Sequence, residues 1–281
     1  MNPLTHENLL LKRQIKYLAV LGLFVVLFAC QESGRPSDRG LANTNSKISK
    51  GNLTIATAAN VQFAMQELIR TFTQETGIKC HMILSSSGKL TAQINAGAPF
   101  DVFVSADVKY PQELYENGLT QKPPEIYAYG KLVIWSFNEP IDSSFERLAS
   151  EKIQYIAIAN PKTAPYGAAA VEALKHYGVY QTTKEKLVFG ESIAQTNQFI
   201  FSQSANLGFT AKSVVLSTSM KGRGYWMEVE EAAYSPLAQS VVVIKRPEAN
   251  QAEEDAEKFY KFLFSKKAKS ILVDFGYQVE D

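Results

Sequence analysis

The 281-residue chain exceeds the size of a typical single domain, so its length favours two lobes over one. Hydrophobic residues make up 46% of the sequence and charged residues 20%, which is sufficient for an ordinary globular core. The formal net charge of +1 argues against a nucleic-acid-binding surface, which usually needs a marked basic excess. The two cysteines and three scattered histidines provide neither a disulfide framework nor the Cys/His spacing of a zinc site.

The N-terminal segment has the features of an export signal. A basic stretch over 12–16 precedes an apolar run over 17–29, whose 13 residues match a signal-peptide core. A membrane span needs ~20 residues, so this run is short for one. It ends in LFAC at Cys30, which resembles the bacterial lipobox, in which the cysteine is lipidated and becomes the mature N-terminus. We expect a signal peptide over 1–29, lipidation at Cys30 and a flexible polar tether over 30–51; an uncleaved anchor and an ordinary secretory leader are the alternatives.

Predicted strands and helices alternate along much of the remaining chain. Short apolar runs predict strands, and apolar residues at helical spacing predict helices. In chain order we predict a strand at 52–58, a helix at 61–77, a strand at 80–84, a helix around Leu90 and Ile94, a strand at 101–106, a helix at 112–116, strands at 131–137 and 153–159, a helix at 168–178, a strand at 187–189, a helix at 194–203, strands at 206–211 and 240–244, and helices at 252–264 and 266–275. Such alternation indicates parallel sheets with crossover helices.

Four strand-to-helix junctions place a candidate binding residue between the end of a strand and the start of a helix. Asn60 follows the first strand, Ser86 and Ser87 follow the second, and Tyr166 and Ile193 stand at two junctions in the second half. In open parallel α/β sheets, ligands bind beyond the carboxyl ends of the strands. Free N–H groups at a helix start bind anions without a basic side chain. Two facing lobes would therefore assemble a site for a small tetrahedral oxyanion; the alternative is that these residues are helix caps or packing residues.

Two flanking features carry further predictions. Lys89, just past the serines, is expected to be solvated at the rim of the cleft. Ser192 with Gln195 three residues later predicts a capping box at the start of a helix.

Six segments, in order, resemble a known family. They are TAAN (57–60), SSSGKL (85–90), INAGAPFDVFVSAD (94–107), NPKTAPYG (160–167), GESIAQ (190–195) and LGFTA (207–211). From about Asn52 to Tyr277 the chain resembles the periplasmic molybdate-binding proteins of ABC importers. The resemblance implies an α/β, type II periplasmic-binding-protein fold, in which each of two lobes is a mixed, mostly parallel sheet flanked by helices. The ligand cleft lies between lobe I, 52–131 plus 236–281, and lobe II, 132–235.

The resemblance also implies the ligand, molybdate and usually tungstate, and the residues that hold it. Asn60 matches the first oxyanion donor of the family, and Ser87 matches a serine donor, with Ser86 beside it. Tyr166 and Ile193 match positions that donate through their backbone N–H groups.

One position departs from the family pattern. Some members add a tyrosine hydroxyl after the Leu-Gly strand, where this chain has Ala211. The site then has fewer donors, or Thr210 or Ser213 substitutes.

The implied protein is a monomeric, lipid-anchored receptor of the cell envelope or periplasm, with no cofactor and no enzyme activity. The chain lacks a G-x-x-x-x-G-K-[ST] motif, so separate permease and ATPase subunits are the expected partners. We expect the cleft to close on the ligand about a hinge near Gly130-Lys131 and Ser235-Pro236.

The sequence also allows a comparison with two other functions. A serine hydrolase needs a G-x-S-x-G elbow and a suitable histidine, whereas His81 lies in a strand and His176 at a helix end. A receptor of the same fold for another anion is the second alternative. Carboxylate binders commonly use an arginine clamp, which these turns lack, but sulfate has the charge and shape of molybdate and stays open.

Overall fold

The computed structural model describes residues 52–141, 144–246 and 251–280. The expected signal peptide, the lipidation site Cys30 and the tether lie outside the described residues. Within those three ranges, no helix is both long enough and apolar enough to cross a membrane.

The described elements follow one another in the order below. The strands are β1 (Asn52–Ala58), β2 (Lys79–Ser85), β3 (Val102–Ser105), β4 (Glu125–Gly130), β5 (Leu132–Ser136), β6 (Ile156–Ala159), β7 (Leu187–Gly190), β8 (Leu207–Ala211), β9 (Tyr225–Glu228) and β10 (Leu237–Val243). The helices are α1 (Gln62–Thr76), α2 (Ser87–Asn95), α3 (Lys109–Glu116), α4 (Pro165–His176), α5 (Tyr180–Thr183), α6 (Ile193–Phe201), α7 (Lys212–Val215), α8 (Gln251–Leu263) and α9 (Lys266–Asp274). Short 3₁₀ turns lie at Ala59–Val61, Phe145–Ala149, Lys184–Lys186 and Glu231–Ala233.

The strands form two five-stranded sheets, in the orders β2-β1-β3-β10-β4 and β7-β6-β8-β5-β9. In the first sheet β1 runs parallel to β2 and β3, and β10 runs antiparallel to β3 and β4. The second sheet repeats this scheme, with β6 parallel to β7 and β8, and β5 antiparallel to β8 and β9. The expected two-lobed α/β fold with mixed sheets is confirmed. Four of the five strands in each described sheet run in the same direction, and β10 and β5 are the strands that run against their neighbours, so the sheets are mixed and mostly parallel as expected.

Each sheet is covered by helices on both faces. We call the first sheet with its helices the first lobe, and the second sheet with its helices the second lobe. Side chains that alternate along a strand face opposite sides of the sheet. Leu132 and Ile134 of β5 accordingly join the core under α4, whereas Val133 and Trp135 pack with residues of α6 and α7 on the other face. Burying each such side chain stabilises the fold by about 1.5–3 kcal/mol.

The chain passes between the two sheets at two places. It leaves the first sheet between Gly130 and Leu132 and returns after β9 into β10. A Cβ added at Gly130 would lie 2.0 Å from the Tyr166 hydroxyl oxygen and 3.1 Å from Nε2 of Gln239. Because glycine leaves this space free, Tyr166 of the second lobe packs directly against the crossing.

Several elements differ from the sequence prediction. The strand at Asn52–Ala58 is confirmed, but β4 and β9 were missed. Both are edge strands, and the first two residues of β4 and three of the four residues of β9 are exposed, so neither is a fully buried strand. Helix α4 begins at Pro165, earlier than predicted, because proline is favoured in the first turn of a helix. Tyr166 is therefore a residue of the helix and does not precede it.

Candidate functional site

The four predicted junctions lie at the carboxyl ends of parallel strands. Asn60 belongs to the turn after β1, and Ser86 and Ser87 follow the neighbouring strand β2. In the second lobe, Tyr166 follows β6 and Ile193 follows the neighbouring strand β7. Each lobe thus presents two adjacent strand-to-helix junctions on one edge of its sheet.

The junctions of the two lobes contact each other. The N–H of Gly88, at the start of α2, donates to the carbonyl of Thr163 in the loop before α4, at 2.9 Å. Nζ of Lys89 lies 2.7 Å from a carboxylate oxygen of Glu191, just before α6. Helix α6 also packs against the Ala59–Val61 turn. The structure therefore brings the predicted residues of both lobes to one interface, and the rim residue Lys89 is ion-paired across it.

Ser86 stands at the N-cap position of α2 without capping the helix. Its backbone is extended, with φ −75° and ψ 153°, as an N-cap requires, yet its side chain makes no capping bond. Ser86 is 3% exposed, and its Oγ has no hydrogen-bond partner among the described residues. Buried hydroxyls are rarely left unpaired, so this oxygen marks a place where a further polar partner is expected.

The Ser87 hydroxyl is fixed by the backbone. Ser87 is fully buried, and its Oγ accepts a hydrogen bond of 3.0 Å from the N–H of Ala106. Because this bond uses a lone pair of the oxygen, the hydroxyl hydrogen remains available for an acceptor. As the first residue of α2, Ser87 also has a backbone N–H without an acceptor inside the helix.

The side chain of Asn60 is held by the protein itself. Gln239 donates from Nε2 to the carbonyls of Leu237 and Ala106, at 2.8 and 3.2 Å, which orients its Oε1 towards Asn60. Nδ2 of Asn60 donates to that Oε1 at 2.7 Å and to the hydroxyl of Tyr277 at 3.2 Å. Both amide hydrogens are thereby occupied. The backbone N–H of Asn60, and not its side chain, is therefore the group available to a bound anion.

Tyr166 and Ile193 present backbone groups at the starts of their helices. Tyr166 is the second residue of α4 and Ile193 the first of α6, and both side chains are buried. N–H groups in the first turn lack intrahelical acceptors. No described side chain caps the start of α4 or α6. The two residues are thus positioned to donate through the backbone while their side chains pack in the core.

The predicted capping box before α6 is not formed. Oε1 of Gln195 accepts from the N–H of Glu191 at 2.7 Å, one residue before the N-cap, and Ser192 makes no side-chain capping bond. The prediction for Ser192 was therefore wrong. Its φ of −154° and ψ of 171° place it in a fully extended backbone, and the first turn of α6 stays uncapped.

The hydroxyls near Ala211 are engaged elsewhere. Oγ1 of Thr210 donates to Asn197 at 2.5 Å, and Oγ of Ser213 donates to the Asn60 carbonyl at 2.6 Å. Neither residue therefore substitutes as a free donor at this junction. The bond from Ser213 instead ties the second lobe to the turn after β1.

Tyr277 is a site residue that the sequence did not reveal. Its hydroxyl lies 3.2 Å from both the Asn60 carbonyl and Oγ of Ser213. Burial raises the pKa of Tyr277 to about 12, so the phenol stays protonated and able to donate at neutral pH. Gln239 is the other site residue that the sequence analysis missed. Its position as a polar residue inside the apolar strand β10 is the signal that could have indicated it.

The arrangement suits a small anion better than a metal ion. Backbone N–H groups at helix starts carry partial positive charge, and the macrodipole favours negative charge there. Among the residues with described positions, no group of three or more His, Cys, Asp or Glu is placed to hold a metal ion. The groups at these helix starts can donate several hydrogen bonds inside a protein interface.

Comparison with known proteins supports the interpretation of this interface as a binding site. A family model described as bacterial extracellular solute-binding protein matches residues 53–278. The molybdate-binding protein ModA of Rhodobacter capsulatus is 37% identical over 232 residues, which cover 82% of this chain and 89% of the relative. The protein of the same name from Azotobacter vinelandii is 36% identical over 228 residues, covering 80% and 89%.

The solved structures agree with the sequence relatives. The periplasmic molybdate-binding protein of Azotobacter vinelandii matches with a TM-score of 0.75 at 34% identity, covering 82% of this chain and 100% of that one. The resemblance drawn from the six sequence segments is thereby confirmed.

Proposed function

Because this chain belongs to the family of bacterial extracellular solute-binding proteins, we propose that it binds molybdate between its lobes and delivers it to an ABC importer. The observation that carries the proposal is the 37% identity to a molybdate-binding protein over 89% of that relative. The uncapped starts of α2, α4 and α6 supply the donors that such a ligand needs.

The proposed binding mode uses neutral donors. The backbone N–H groups of Asn60, Ser87, Tyr166 and Ile193 point at the oxyanion, and the hydroxyls of Ser86 and Ser87 add to them. Each bond to a charged oxygen contributes roughly 1.5–3 kcal/mol, so several of them hold a dianion without an arginine or lysine. Selection among tetrahedral anions then depends on cavity size and on the number of donors.

Tungstate and sulfate differ in how they would fit this site. Tungstate has the shape and charge of molybdate, so we propose that it binds as well. Sulfate is somewhat smaller and would contact fewer donors at once, which makes it the second candidate and the weaker ligand.

The same proposal covers localisation and partners. The basic stretch, the apolar run and LFAC at Cys30 support export and lipid anchoring in the cell envelope. A permease and an ATPase are the proposed partners of a monomeric receptor without a cofactor and without catalytic activity. We also propose that the lobes extend over 52–131 with 236–281 and over 132–235, hinged near Gly130-Lys131 and Ser235-Pro236.

Thermal unfolding with added anions tests the proposal. Molybdate at about 100 times its Kd should stabilise the protein by ~2.7 kcal/mol, and tungstate should do the same. Sulfate and phosphate at equal concentration should give much smaller shifts. An equal shift with sulfate would favour the alternative receptor, and no shift with molybdate or tungstate would refute the proposal.

A further inference from the structure

A group of contacts joins the two lobes beside the proposed anion donors. The first lobe contributes Gly88, Lys89 and Tyr110 to these contacts. The second lobe contributes the loop residues Lys162 and Thr163, together with Glu191. We call this group the clasp. None of its contacts uses the backbone N–H or hydroxyl groups assigned above to the ligand.

The bond from Gly88 exists only when the lobes meet. Gly88 is the second residue of α2, so its N–H has no acceptor within its own helix. Its acceptor is the Thr163 carbonyl, at 2.9 Å, on the opposite lobe. Separation of the lobes would expose this N–H to water, which makes it a direct reporter of closure.

Tyr110 reaches the second lobe by passing over Gly88. Its hydroxyl donates to the Lys162 carbonyl at 3.0 Å. A Cβ on Gly88 would lie 2.7 Å from that hydroxyl oxygen and 3.1 Å from Cα of Thr163. The missing side chain at position 88 therefore lets both Tyr110 and the Thr163 backbone approach α2.

The third contact of the clasp is weaker. Lys89 and Glu191 pair at 2.7 Å, but their side chains are 41% and 69% exposed, and solvent screens such pairs. The bond from Gly88 to Thr163 joins two half-buried residues and is the part of the clasp that is partly shielded from water. The bond from Tyr110 to Lys162 is exposed, and it supports closure from the side of Gly88.

We propose that Tyr110, acting with Gly88 through the carbonyls of Lys162 and Thr163, is a positioning residue that holds the cleft closed and slows ligand release. A contact that favours the closed state lengthens the residence of a ligand trapped inside it without changing which ligand fits. The part that concerns ligand release rests on the proposed function; the part that concerns closure does not.

The test is amide hydrogen exchange of Gly88, measured by NMR on protein labelled with ¹⁵N-glycine. Tyr110→Phe removes only the hydroxyl, and the Gly88 N–H should then exchange about two- to tenfold faster. Tyr260→Phe is the matched control, because that hydroxyl bonds Glu125 within the first lobe. An unchanged Gly88 rate in Tyr110→Phe, or an equal acceleration in Tyr260→Phe, overturns the clasp.

Ligand kinetics give the second readout. Molybdate should dissociate about two- to tenfold faster from Tyr110→Phe, with the ratio of molybdate to sulfate affinity unchanged. Gly88→Ala should accelerate dissociation at least as much, although alanine is normally the better helix former. A changed anion ratio, or wild-type dissociation rates in both variants, would contradict a role confined to closure. Failure of the wild type to bind molybdate would refute the proposed function, and Gly88 exchange would then decide the clasp alone.

Discussion

Helices α2 and α9 of the first lobe both begin behind a serine in nearly the same backbone conformation. Ser86 has φ −75° and ψ 153°, and Ser265 has φ −71° and ψ 153°. Oγ of Ser265 accepts from the N–H of Ala268 at 3.2 Å, whereas Oγ of Ser86 is buried without a described partner. Backbone geometry therefore does not separate a cap from a candidate donor.

The difference lies in what faces each helix start. The start of α2 is enclosed by the second lobe, through the contact of Gly88 with Thr163 and the pair of Lys89 with Glu191. The start of α9 is partly exposed, so its free N–H groups are served by its own serine and by water. A helix start that leaves its N–H groups uncapped inside an interface is suited to a ligand. One that satisfies them itself serves stability.

The largest effect is expected for Ser87→Ala. Loss of a hydroxyl that contacts a charged oxygen should weaken molybdate binding by about 1.5–3 kcal/mol, or roughly 10- to 150-fold. The Ala106 N–H also loses its acceptor, which should lower the free energy of unfolding by about 1–3 kcal/mol. Calorimetric titration and urea unfolding measure the two effects. Ser217→Ala, which removes another buried hydroxyl, is the control; an unchanged affinity in Ser87→Ala would remove Ser87 from the site.

Ser86→Ala should affect binding without affecting stability. Because the Ser86 hydroxyl makes no capping bond, its removal should change the free energy of unfolding by less than about 0.5 kcal/mol in the absence of ligand. Molybdate affinity should fall about tenfold, the lower end for a bond to a charged acceptor. If instead the variant loses about 1 kcal/mol of stability at unchanged affinity, Ser86 is an ordinary cap.

Ser265→Ala should show the opposite pattern. Loss of its capping bond should destabilise the protein by about 1 kcal/mol. The Kd for molybdate should equal that of the wild type, since α9 contributes nothing to the proposed site. A weaker Kd in this variant would mean that binding merely follows global stability, and the contrast between the two serines would lose its meaning.

Ionic strength should have the smallest effect. The proposed donors are buried, and salt screens buried interactions much less than exposed ones. Raising the sodium chloride concentration about tenfold should change the Kd for molybdate by less than about twofold. A steep loss of affinity would place the anion near exposed charges such as Lys89 and away from Ser86 and Ser87.

The sequence predicted the junctions but not the bonds that arrange them. Strand β1 and the serine turn before α2 follow from local patterns, because the signals lie within a few residues. The hold on Asn60 depends on Gln239 and Tyr277, which are 179 and 217 residues away in the chain. No local propensity encodes such pairings. The exposed β9 was missed for a related reason: an edge strand is specified by its neighbour β5 and not by its own hydrophobicity.

The most direct test of molybdate binding by this chain is a calorimetric titration of the wild-type protein with sodium molybdate, followed by one with sodium sulfate. The proposed donors lie at one interface between the lobes, so molybdate should bind at one site per chain and far more tightly than sulfate. Absence of binding heat at several temperatures, or equal affinity for the two anions, would contradict the account.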